Sequence, residues 1–242
     1  MKTKRVLRRV NARRVCAVKN PYPNVNPPRA RKVITRSTSR VIGLFSSIKN
    51  RALVPWESSL EFDCLRLLET DNSVALYAAQ PEVLDYEFEG KSRRYYPDFR
   101  VEHHNGRTEI IEVKFEADVA DPEQQARFAI IAKAYKKRGI DFRLMTERDI
   151  RREPLRANAR LMLEARTLNP SPQMKLDVAN AFARRPPRTL GELETALGFP
   201  TERRGELYGM ALRGFFTIDL TTAPLSGDSL IASDFKYSSL GE

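Results

Sequence analysis

Metal-binding and redox side chains are scarce in this chain of 242 residues, which has two cysteines, Cys16 and Cys64, and two histidines, His103 and His104. The cysteines lie far apart and lack the short spacings of zinc or dithiol motifs, which excludes a disulfide framework and a zinc site as organising features. No run of about 18 apolar residues is present to span a bilayer, and the N-terminus shows no apolar stretch of the secretory kind. A soluble protein without a membrane partner, in a reducing cytoplasmic setting, is therefore expected. Acidic residues are absent from the first 56 positions.

That last absence locates the charge. Residues 1–56 hold 15 Lys or Arg and no Asp or Glu, whereas residues 57–242 hold 27 basic against 31 acidic residues, so the formal charge of +11 belongs to the N-terminal segment. The stretch "NPYPNVNPPRARK" has too many prolines and too few apolar positions to pack by itself. Residues 1–50 are expected to be an extended basic arm that orders on a polyanion. An organellar transit peptide is the competing reading of an Arg-rich, acid-free start. Against it, helical amphipathicity stops at Pro21 while the basic bias runs on to Arg51.

Beyond the arm, 41% hydrophobic residues suffice for a sizeable core. The spacing of Leu60, Cys64, Leu67 and Leu68 predicts a helix, with Ser58 or Ser59 at its start. From Ser73 to Phe115 the chain is rich in β-branched and aromatic residues, broken by the turn signals "EGKS" and "HNGR". Asp121, Pro122 and Gln124 have the pattern of a capped helix start, and Gly139 closes that helix before the strand "IDFRLMT". A helix, a hairpin, a crossover helix and a further strand make an α/β unit with a mixed sheet and flanking helices over residues 51–150. Residues 151–242 read as three short helices, "SPQMKLDVANAFARRPP", "TLGELETALG" and "TERRGELYGMALRG", then a hairpin turning at Ser226-Gly227-Asp228. That order predicts a winged-helix-like α+β domain and tail, in which the third helix is the candidate reader of a groove or partner.

Chemistry concentrates in "YYPDFRVEHHNGRTEIIEVK". Residues two apart on a strand share a face, so Glu112 and Lys114 point together while Ile111 and Val113 point away. The Asn105-Gly106 turn folds Asp98 back against them. Two carboxylates with a nearby carbonyl, such as that of Val113, are hard oxygen donors suited to Mg²⁺, or Mn²⁺ in its place. A lysine beside such a metal can orient or help deprotonate water, or neutralise charge developing on a phosphate. Each residue also has an ordinary reading: Asp98 after Pro97 as a turn residue, Glu112 and Lys114 as a solvated pair, His103 and His104 as solvent-facing, Tyr95 and Tyr96 as packing, and Gln80 as a structural amide.

"PD", thirteen residues, then "EVK" resembles the PD-(D/E)XK pattern of restriction-endonuclease-like nucleases. The longer order, "GLFSSIKNRALVPWESSLEFDCLRLLETDNSVALYAAQP" through "YYPDF" to "EVK", resembles the TnsA-like transposon-end endonucleases over residues 29–150. The resemblance implies a restriction-endonuclease-like fold and Mg²⁺-dependent cleavage of the 5′ strands at transposon ends. By the same resemblance, Glu61, Asp98, Glu112 and Lys114 are the catalytic residues, with the metal on Glu61, Asp98 and Glu112, to which the donor chemistry above adds the carbonyl of Val113. Glu57, one helical turn before Glu61, is the alternative to it. The implied partners are double-stranded transposon-end DNA, a DDE-type transposase subunit and an ATPase regulator, in a bacterial cytoplasm. Two other readings stay open: a stand-alone restriction-like or junction-resolving nuclease, and a non-catalytic DNA-binding assembly subunit.

Overall fold

The computed structural model describes residues 12–13 and 42–233, so most of the basic arm lies outside the described residues. Two compact units emerge. One takes the described residues up to Phe62 together with Val74–Glu147, and the other takes Asp63–Ser73 together with the described residues from Arg148 onward.

In the first unit, strands β1 (Ala12–Arg13), β2 (Gly43–Ser47) and β3 (Ala52–Trp56) precede helix α1 (Ser59–Thr70). Then come β4 (Val74–Ala79), β5 (Val83–Phe88), β6 (Lys91–Tyr95), β7 (Phe99–His103) and β8 (Thr108–Val113). Helices α2 (Glu116–Val119) and α3 (Pro122–Lys136) lead to β9 (Asp141–Met145). The principal sheet has the order β4-β7-β8-β9, with β7 antiparallel to both neighbours and β9 parallel to β8. The mixed sheet with flanking helices is thus observed, and its parallel pair needs the crossover that α3 supplies. A second sheet, β1-β5-β6, packs on α3 through a core that includes Leu84, Tyr86, Tyr95, Ile110, Ile131 and Tyr135.

Local chemistry explains the turns. Glu89 and Gly90 both have positive φ, 51° and 72°, as a two-residue hairpin between right-twisted strands requires. At the next hairpin, Gly106 N–H donates to the His103 carbonyl and Gly106 sits at φ 83°, which makes a three-residue loop of His104, Asn105 and Gly106. Asp121 caps α3 by accepting from the Glu123 N–H at 3.1 Å. The Gln124 side chain accepts from Arg127 instead of completing the expected capping box.

Residues 43–50, assigned to the extended arm by charge, instead belong to the body. β2 pairs with β3, and Gly43 lies opposite Trp56, whose indole stands where a Cβ would be. The Asn50 side chain donates to the Tyr77 carbonyl at 2.9 Å and accepts from the Tyr77 N–H at 3.2 Å, which docks the hairpin on the free edge of β4. Lys49 and Arg51 add charge there without making the segment an arm, because Phe45 and Val54 of the same hairpin are buried.

The second unit contains α4 (Glu147–Ile150, entered from the first unit), α5 (Leu155–Glu164), α6 (Pro172–Arg184), α7 (Leu190–Leu197) and α8 (Arg204–Ala211). The three expected helices are present, and α5 is an addition that the sequence reading passed over. Strands β10 (Thr217–Ile218) and β11 (Ile231–Ala232) pair over only two residues each, so the expected tight hairpin is a short ladder closed by a long loop. Asn158, buried on α5, clasps that loop: its Nδ2 donates to the Leu220 and Ala223 carbonyls, and its Oδ1 accepts from Leu225 N–H. Asp63, also buried, takes Arg151 at 2.8 Å and Arg66 at 2.9 Å.

Candidate active site

β8 is the central strand that builds the site. Glu109 through Val113 are all buried, so a carboxylate at Glu112 needs partners to offset the loss of water. Lys114 Nζ lies 2.7 Å from Glu112 Oε1, and the Tyr95 hydroxyl donates to Glu112 Oε2 at 2.5 Å. The β7–β8 register pairs Phe99 with Ile111. Asp98 immediately precedes β7, at the end of that ladder. Asp98 Oδ2 accepts from the Val113 N–H at 2.8 Å and stands 3.6 Å from Lys114 Nζ. The Val113 carbonyl accepts from Lys114 Nζ at 3.1 Å. Asp98, Glu112, Val113 and Lys114 are therefore brought together as the strand alternation implies.

Glu61 arrives from the first turn of α1, where the rings of Phe45 and Trp56 pack on Phe62 and fix the start of the helix. Ser58 Oγ accepts from the Glu61 N–H and donates to Glu61 Oε1, both at 3.1 Å, while Glu61 Oε2 accepts from the Glu57 N–H at 2.8 Å. This is a reciprocal cap of the S-x-x-E kind, legible in "SSLE". Glu57, the alternative to Glu61, is held as well: its Oε1 accepts from Gln80 Nε2 at 2.8 Å.

Three acidic groups here share one ammonium. Burial, and then the charge of Asp98, pushes the Glu61 carboxyl up to about 7. Burial raises Asp98 against the opposing pull of Lys114 and the Val113 N–H. Burial and then Asp98 raise Glu112 as well, although Lys114 and Tyr95 oppose it. For Lys114, burial pulls the ammonium down, but Glu112 and then Asp98 outweigh it and hold it above its usual range. The Lys114–Glu112 pair is thus lopsided. The ammonium gains from it, while the carboxylates remain in excess.

Among the described residues, no group of three or more His, Cys, Asp or Glu forms a ready metal cluster. The contacts above account for this. Lys114 occupies Glu112 Oε1 and the Val113 carbonyl, and Glu61 is turned to its own cap. The donor set nonetheless fits a hard divalent cation, being all oxygen and carrying more negative charge than one lysine offsets.

Residues 71–147 match the TnsA-like endonuclease N-terminal family. The TnsA-like segment contains Gln80, Tyr95, Asp98, Glu112 and Lys114, whereas Glu57 and Glu61 precede it. No curated protein matches the chain. The match makes this segment similar to the N-terminal part of TnsA-like endonucleases.

Other candidate residues separate. Tyr95, read as packing, also bonds Glu112, and nothing in "RRYYPD" signals that choice because it depends on the neighbouring sheet. His104 is exposed as expected. His103 is buried instead, since it continues the inward alternation of Phe99 and Val101. It accepts from Arg107 at 2.9 Å and lies 3.4 Å from Glu109, at the turn end of the hairpin and away from Asp98.

Proposed function

We propose that this protein is the Mg²⁺-dependent endonuclease subunit of a heteromeric transposase and cleaves the 5′ strands at transposon ends. The observation that carries the reading is the contact of Lys114 with both Asp98 and Glu112, inside a TnsA-like segment. Glu61, Asp98, Glu112 and the Val113 carbonyl would hold Mg²⁺, with Mn²⁺ as a substitute. When bound, the metal supplies Lewis acidity and an activated water. Loading requires the Lys114 ammonium to move off Glu112 Oε1 and Val113 O. Lys114 would then orient or help deprotonate the attacking water, or offset charge growing on the phosphate. Tyr95 keeps Glu112 in place through its hydroxyl.

With this goes a restriction-endonuclease-like catalytic domain, extended from residues 51–150 to take in the hairpin from Gly43, between a basic arm and a winged-helix-like domain, residues 151–242. Its partners are double-stranded DNA at the transposon ends, a DDE-type transposase that processes the 3′ strand, and an ATPase regulator, in the cytoplasm of a bacterium. Reconstitution with the transposase on end-bearing duplex tests the assignment: strand scission should need both proteins and Mg²⁺. Efficient cutting of duplex by this chain alone would favour a stand-alone nuclease, and absence of cutting in the complete mixture would favour an assembly subunit.

A further inference from the structure

The chain leaves strand geometry at one residue beside the site. Gln80 follows the last residue of β4 with φ 46°, in the left-handed region that a side chain with a Cβ rarely adopts. Pro81 comes next and biases the residue before it toward extended backbone, so the conformation runs against two local preferences. Gln80 is also buried, 7% exposed. Its main-chain N–H donates to the Asp98 carbonyl at 2.9 Å, and its Nε2 donates to Glu57 Oε1 at 2.8 Å. Its Oε1 is buried without a hydrogen-bond partner among the described residues. An unpaired buried amide oxygen and a left-handed backbone both oppose folding. A glycine here would remove both, so packing does not account for the glutamine.

We propose that Gln80 is a positioning residue of the nuclease centre, holding Glu57 in place as a fourth carboxylate beside Asp98 and Glu61. The inference rests on the nuclease reading above. An amide suits the task because it orients a carboxylate by a hydrogen bond without cancelling its charge, as an arginine would. The centre therefore keeps its negative charge for a cation. Glu57 is among the charges that raise both Asp98 and Glu61, which agrees with its place beside them. Gln80 thereby ties three stretches of chain together at the site: the end of β4, Asp98 before β7, and Glu57 before α1.

The test is Mn²⁺ affinity of the full chain by calorimetry, with DNA affinity and metal-free thermal stability measured alongside, for wild type, Gln80→Leu, Gln80→Gly, Glu57→Gln and Asp98→Ala. Gln80→Leu should weaken Mn²⁺ binding about tenfold, the lower end for loss of an orienting partner, and leave DNA affinity within about twofold. Gln80→Gly should show the same metal loss with undiminished thermal stability, since it relieves the left-handed backbone. Joined to Glu57→Gln, Gln80→Leu should add nothing further, because the two act through one contact. Wild-type Mn²⁺ affinity in both Gln80 variants, with Asp98→Ala impaired, would overturn the role of Gln80 while sparing the centre. Fully additive losses would overturn it too. Equal Mn²⁺ binding by wild type and Asp98→Ala would overturn the centre and the proposal with it.

Discussion

Glu61 serves two ends that pull against each other. Its carboxylate closes the cap at Ser58 and Glu57, and it is also the acidic group of α1 nearest Asp98 in effect. Substitution separates the two. Glutamine can keep the reciprocal cap, so below about pH 4.5, where Glu61 is protonated in both states, Glu61→Gln should change stability by no more than about 0.5 kcal/mol, while cleavage should fall on the order of 10²-fold, as for loss of a supporting group at a metal site. Titration gives a second check. A carboxyl raised to about 7 in the fold, from an ordinary value of 4.5, favours the folded state when protonated. Its contribution is complete below about 4.5 and is lost as pH rises through about 7. The metal-free protein should therefore lose melting temperature across that window, and Glu61→Gln should flatten the loss. A steeper loss in the variant would show that Glu61 is not the strained group. Asp98, Glu112 and Lys114 were legible because strand alternation and one Asn-Gly turn suffice to juxtapose them. Glu57, Gln80 and Tyr95 were not, because their contacts span 17 to 23 residues and depend on how separate elements dock.

Among the elements, α1 and α7 share one device. Ser58 and Glu61 begin the first, Thr189 and Glu192 the second, and in each the glutamate accepts from the N–H preceding the cap residue. The pattern stands in the sequence at both places, as "TLGE" and "SSLE", and in the second the capping glutamate is also the candidate ligand. Ser58→Ala removes the hydroxyl from both Glu61 bonds. It should cost about 1 kcal/mol of stability, read as a lower midpoint in denaturant, and should also reduce cleavage. Full activity at reduced stability would mean that the cap and the site are independent. The hairpin of β2 and β3 was hidden in the sequence: its lysine and arginine made it look like arm, while Asn50, whose side chain docks it on β4, carries no charge signal. The missed α5 begins after "RREP", a charged stretch that gives no apolar period, and its buried face includes the polar Asn158.

For the whole molecule, the boundary near residue 150 divides one unit from its own helix. Asp63–Ser73 groups with the residues from Arg148 onward, and it supplies Asp63 to Arg151 and the Asn72 side chain to the Phe216 carbonyl. A fragment of residues 151–242 should melt at lower temperature and less cooperatively than the same unit within the full chain, by circular dichroism. A cooperative melt at the full-length midpoint would contradict that division. The acid-free arm makes a separate prediction. Engaging about 5 phosphates would add roughly −4 to −5 to the slope of log K against log salt, so deletion of residues 2–40 should flatten salt dependence and weaken DNA binding at low salt. An unchanged slope would make the arm an address or a docking peptide. The central claim is that the Asp98–Glu112–Lys114 face hydrolyses a phosphodiester, and strand-resolved cleavage of end-labelled transposon-end duplex, with the transposase present, tests it most directly. In Mg²⁺ the wild type should release the 5′-strand product, and Asp98→Ala should release at least about 100-fold less with DNA binding unchanged. Equal 5′-strand cleavage by Asp98→Ala would contradict the account.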